Sequence, residues 1–139
     1  MMLIKIIFTF FSILISRADI KTGEVPRIAF IFAFPFFIIL KLLLKEKNYF
    51  IESILGVLTG LLVFLFVYFF SGKRLGLADV WYSALIGLVI GLWCWYAAIG
   101  LACVAGIFYI RTVKQRKIPF IPFMALGSLI INIIRGKYL

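Results

Sequence analysis

Six apolar runs, each separated from the next by a short polar or turn-forming stretch, make up almost the whole chain. The clear breaks fall at 17–27, 41–49, 71–76 and 111–119, where Lys, Arg, Pro and Gly collect. A weaker break, free of charge, falls on "GLWCWY" at 91–96. The runs between them lie at 3–18, 27–44, 50–70, 77–91, 95–110 and 120–135. Roughly 17–25 residues of α-helix cross the hydrocarbon layer of a bilayer, so the pattern predicts an all-α bundle of about six transmembrane helices. If "GLWCWY" lies inside one long helix the number is five. Trp93, Trp95 and Tyr96 favour a turn there, because such rings collect at the membrane interface. Gly56 with Gly60, and Gly87 with Gly91, are small-xxx-small pairs that permit close helix packing.

Composition turns this pattern into a class. The 139 residues are 65% hydrophobic, 18% aromatic and 14% charged, with a mean hydropathy of +1.21. Soluble domains are about 45–50% apolar, and the surplus here has to face lipid. The loops are too short for a second domain and no internal repeat is present, so residues 1–139 read as a single membrane-embedded domain. The 3–15 stretch resembles the apolar core of a signal peptide, with Ser16-Arg17-Ala18 as a crude cleavage site. A single preceding lysine and an arginine within that site favour a retained first helix.

The net charge of +10 is carried by short clusters between apolar runs, as juxtamembrane Lys and Arg are. Topology and attraction to membrane lipids account for it, rather than nucleic acid. Of the 15 Lys and Arg, nine lie after spans one, three and five: Arg17, Lys21, Arg27, Lys73, Arg74, Arg111, Lys114, Arg116 and Lys117. Six lie on the other side: Lys5, Lys41, Lys45, Lys47, Arg135 and Lys137. The positive-inside rule then places the odd loops in the cytoplasm and both termini outside. Cys94 and Cys103 lie inside an apolar stretch in a chain with no histidine. They are read as buried thiols, with no metal site and no cofactor expected.

Against this background two residues stand out. Asp19, in "SRADIKTGEVPR", ends span one, and Asp79 begins span four; no other aspartate is present. Two crossings separate them, so both fall on one membrane face whichever way the chain is inserted. A lone juxtamembrane aspartate is ordinarily a solvated loop end, but a carboxylate at a span costs several kcal/mol unless paired or hydrated. Two carboxylates held a few ångströms apart cannot both ionise and titrate as a coupled pair. Such a pair can draw a proton from water and give one to an amide carbonyl. Without histidine no Ser-His-Asp or Cys-His arrangement is possible. The dipoles of spans one and four place the resting proton on Asp19, since Asp79 lies in a first turn and Asp19 at a C-terminal end.

These residues resemble known motifs. "DIKTGEVP", Asp19 to Pro26 and including Lys21, resembles the D-x-K/R-x-x-x-I/V/L-P element of type IV prepilin peptidases. "GLAD", Gly76 to Asp79, resembles the G-x-G-D motif shared by those enzymes, archaeal preflagellin peptidases and, more distantly, presenilin-type proteases. "KIPFIPFMALG", Lys117 to Gly127, resembles the family's Pro-Phe-rich C-terminal element. The resemblance implies a membrane aspartyl protease in a prokaryotic cytoplasmic membrane, with Asp19 and Asp79 as the catalytic pair. Its partner would be a pilin-like precursor, trimmed of a short basic leader at the cytoplasmic face. Pro26 would start span two, and Gly76 would let the backbone pass close to the pair. Pro119, Phe120 and Pro122 would shape the substrate edge, with plain packing at a helix start as the alternative. Glu24 is a candidate leader contact, or a loop glutamate paired with Lys21 or Arg27.

Two departures from the family pattern stand in the sequence. Ala78 replaces the second motif glycine, which matters if that position needs a positive φ. The cytoplasmic cysteine-bearing domain of the larger enzymes has no room in the short loops, so neither zinc nor methyltransferase activity is expected. Two other classes compete: a small proton-coupled transporter, which would carry acids deep within broken helices, and an inactive pilus-assembly scaffold.

Overall fold

Each apolar run forms a helix. The computed structural model describes residues 2–22, 25–44, 50–72, 76–113 and 120–138, without the side chains of 113 and 136–138. The order is α1 (Met2–Thr22), α2 (Arg27–Leu43), α3 (Phe50–Phe70), α4 (Leu77–Ile90), α5 (Leu92–Val113) and α6 (Phe120–Tyr138). No strand occurs among the described residues. The fold is an all-α bundle, and two of its helices, Phe50–Phe70 and Leu92–Thr112, are long and apolar enough to cross a membrane.

The boundaries follow local chemistry. Pro26 directly precedes α2 with extended backbone (φ −64°, ψ 132°), and its carbonyl accepts the Ala29 N–H at 3.1 Å. Helix α1 continues past the predicted end at 18 to Thr22, so Asp19 is a helical residue rather than a loop one. Between α4 and α5 the break is one residue. Gly91 has φ 84°, a left-handed conformation that glycine adopts without strain, and its N–H still bonds to the Gly87 carbonyl at 3.0 Å. The broader turn expected over "GLWCWY" is thereby corrected: Leu92 is already helical, and the three aromatic residues lie in α5. Trp93 and Tyr96 are exposed, but Trp95 is buried and donates its indole N–H to Ser83 Oγ at 2.9 Å.

Helix α4 is the axis of the bundle. Every residue from Tyr82 to Ile90 is buried, and α3 packs along it so closely that backbones touch. A Cβ on Gly87 would overlap the Gly56 backbone, and one on Gly60 would meet Ser83 O at 2.9 Å. The seam therefore joins Gly56 to Gly87 and Gly60 to Ser83. Gly91, expected to pack like Gly87, instead ends the helix.

The exterior carries the apolar surplus: Phe10, Phe32 and Phe70 are among many large side chains left exposed. Lys41, in a stretch read as a polar break, is buried in the last turn of α2, where its Nζ donates to Ser53 Oγ. Its four-carbon stem lies among apolar groups while the ammonium reaches a hydroxyl.

Two glycine-to-alanine substitutions should move stability in opposite directions. Gly56→Ala places a methyl group on the Gly87 backbone and should cost about 1–3 kcal/mol. Gly100→Ala, in α5 with nothing within 4 Å, should gain up to about 1 kcal/mol. Thermal unfolding midpoints in detergent check both.

Candidate active site

The first turn of α4 builds its own anion site. Gly76 precedes the helix in extended backbone (φ −71°, ψ 144°). Its carbonyl accepts the Asp79 N–H at 3.1 Å, and its N–H donates back to Asp79 Oδ2 at 3.2 Å. This is half of a capping box, with glycine at the N-cap and the carboxylate three residues on. The group nearest Gly76 is Asp79 itself: a Cβ at Gly76 would lie 3.3 Å from Asp79 Oδ2.

Asp19 reaches the same place from the last turns of α1. Both aspartates are buried, each 9% exposed, and the two carboxylates interact electrostatically. Asp19 Oδ2 has no hydrogen-bond partner among the described residues, while the carboxyl group lies against the backbone N–H of Ile121 in the first turn of α6. Positive helix ends therefore stand beside both carboxylates. The dipole argument that separated them on α1 and α4 alone no longer does so.

The remaining predicted residues divide. Lys21 is exposed on the last turn of α1, two residues past Asp19 and so on another face. Pro26 is exposed ahead of α2. Ala78 is helical and partly buried against the core. Phe120 opens α6, partly buried, its ring 6.2 Å from that of Phe64. Pro122 stands in the first turn of α6, where a missing N–H breaks no helical bond. Glu24 and Pro119 lie outside the described residues. Among the described residues no group of three or more Cys, Asp or Glu gathers that could hold a metal.

Three contributors were not singled out from sequence. The Ile121 N–H is a backbone group with no side-chain signature. Ser12 and Tyr82 hydrogen-bond across α1 and α4, the phenol donating to Ser12 Oγ at 2.8 Å. The available signal was spacing: Ser12 precedes Asp19 by seven residues and Tyr82 follows Asp79 by three, each on the face of its aspartate.

An apolar helical bundle holding two carboxylates together at one end is the class that fold and site define. The chain belongs to the type IV leader peptidase family, whose model matches residues 6–111. It is thus a type IV leader peptidase-like protease, in a family of aspartic type. Comparison with curated proteins returns no match, and comparison with solved structures returns none. The matched span contains both aspartates and "GLAD"; the "KIPFIPFMALG" element lies beyond it.

Gly76→Ala should push the Asp79 carboxylate aside and lower peptidase activity about tenfold or more with little change in unfolding midpoint. Ala78→Gly, at a position already helical, should leave activity within about twofold while costing about 1 kcal/mol of stability. Initial rates measured with unfolding midpoints on the same preparations check both.

Proposed function

We propose that the chain is a multi-pass membrane aspartyl endopeptidase that removes the short basic leader from pilin-like precursors at the cytoplasmic face. The observation that carries this reading is the meeting of Asp19 and Asp79, the only aspartates of the chain, buried together although 60 residues apart in sequence.

The chemistry follows from a shared proton. The ionised carboxylate takes a proton from a water molecule as its oxygen attacks the scissile carbonyl. The neutral carboxyl gives its proton to the carbonyl oxygen, so a tetrahedral diol forms without a separated charge. The protonated carboxyl then gives its proton to the amide nitrogen while the other carboxylate takes one from a diol hydroxyl. The C–N bond breaks, the amine and the new carboxylic acid leave, and the pair holds one proton again.

Charge supports the orientation. Arg17, Lys21, Arg27 and Arg111, at the end that carries the aspartates, are exposed. At the opposite end three cations are engaged within the bundle: Lys5 with the Asn132 carbonyl, Lys41 with Ser53, and Arg135 with the Ile90 carbonyl at the end of α4. Among the described residues the exposed cations lie at the aspartate end, which fits a cytoplasmic location. The substrate, a leader followed by an apolar helix, would meet the bundle from lipid. Both aspartates lie close to helix ends rather than deep within broken helices, which favours this reading over a transporter.

Co-expression with a panel of pilin-like precursors is the test. Wild type should trim at least one precursor, while Asp19→Asn and Asp79→Asn should each lose about 10²–10⁴-fold in rate. A folded wild type that trims none, or either single variant that cleaves at the wild-type rate, would remove the reading.

A further inference from the structure

Beneath the aspartates lies a second polar cluster that the chemistry above does not use. The Tyr82 hydroxyl on α4 donates to Ser12 Oγ on α1 at 2.8 Å, and the Ser128 hydroxyl of α6 lies close by. Ser128 Oγ bonds in turn to the Ala125 carbonyl at 2.9 Å. All three side chains are completely buried. The phenol ring is stacked on Phe8 of α1, with centroids 6.4 Å apart and planes 11° from parallel.

The helices that contribute here are the three that meet at the candidate active site. Tyr82 lies one turn from Asp79 on α4, Ser12 two turns from Asp19 on α1, and Ser128 two turns from Ile121 on α6. Spacings of three and seven keep each pair on one helix face. Apolar packing resists separation of helices but does little to stop sliding or rotation, since methyl groups in lipid exchange partners at small cost. A buried hydroxyl donated to a partner on another helix holds one register, because any slide leaves a buried polar group unsatisfied.

We propose that Tyr82 is a positioning residue for the peptidase. Through Ser12 its hydroxyl fixes the register of α1 against α4, and so the separation of Asp19 and Asp79. The catalytic part of the proposal rests on the reading of Asp19 and Asp79 as the catalytic pair; the geometric part does not, and the experiment separates the two.

The geometric measurement uses spin labels on Asp19→Cys and Asp79→Cys, in a background where Cys94 and Cys103 are serine. Dipolar broadening should report a narrow separation with Tyr82 present and a wider or shifted one in Tyr82→Phe. Ser12→Ala, which removes the partner, and Ser128→Ala, which removes the neighbouring hydroxyl, both leave the ring in place and should shift it in the same sense by less. The catalytic measurement uses the two native aspartates. Tyr82→Phe should lower kcat about tenfold with KM within about twofold, because substrate still docks while the pair is misaligned. Adding Ser12→Ala to Tyr82→Phe should lower kcat little further, since the bond is already lost. Unchanged spin separation in all three variants overturns the proposal, as does a loss confined to unfolding midpoint with kcat unchanged. Should Tyr82→Phe fail to fold, the two serine variants decide by the same criteria. An inactive wild type would count against the peptidase reading alone, because the spin separation is read without catalysis.

Discussion

The structure depends on the burial of one short helix. With 14 residues α4 is about 21 Å long, well under the roughly 30 Å of a hydrocarbon core, so it cannot cross a bilayer end to end on its own. It is instead encased. Gly56 against Gly87 and Gly60 against Ser83 bring α3 into backbone contact with it. Trp95 ties α5 to Ser83, and Tyr82 ties α1 to α4. An encased helix keeps its depth and rotation, and the first turn that carries Asp79 is held with it.

That rigidity makes a costly group tolerable. A carboxylate in apolar surroundings needs partners, and the bundle provides them at helix starts, where N–H groups lack partners within the helix. Asp79 takes the Gly76 N–H at the start of α4, and Asp19 lies against the Ile121 N–H at the start of α6. Two helix N-termini thus converge on two carboxylates. The Ile121 N–H lies within the third motif element and is a backbone group that the element's side-chain pattern does not announce.

Much of this was legible in the sequence, for identifiable reasons. Helix number and order follow from apolar run length, which lipid enforces strictly. The placing of Asp19 and Asp79 at one end follows from parity across spans two and three. What escaped notice depends on partners distant in the chain. Trp95 has the composition of an interfacial ring and becomes an inward one because Ser83 stands opposite it. Gly91 belongs by spacing to the glycine seam, yet ends the helix. Lys41 counts as a loop cation until Ser53 is seen beside it. Ser12, Tyr82 and Ser128 share no local pattern, and a buried serine in an apolar helix looks like any other small residue.

The departure at Ala78 is explained by the same local geometry. Gly76 has φ −71°, a value open to any residue, so its backbone conformation does not demand glycine. What a larger residue would meet is the Asp79 oxygen, 3.3 Å from where a Cβ would stand, which would have to shift to make room. At 78 the chain is already helical, and positive φ occurs among the described glycines only at Gly72 and Gly91. A methyl group there rests on the edge of the core without straining the backbone. The first and last residues of "GLAD" are joined directly: the N-cap glycine's N–H bonds to the carboxylate three positions on. The intervening residues need only be helical and small enough to pack, and alanine meets both conditions.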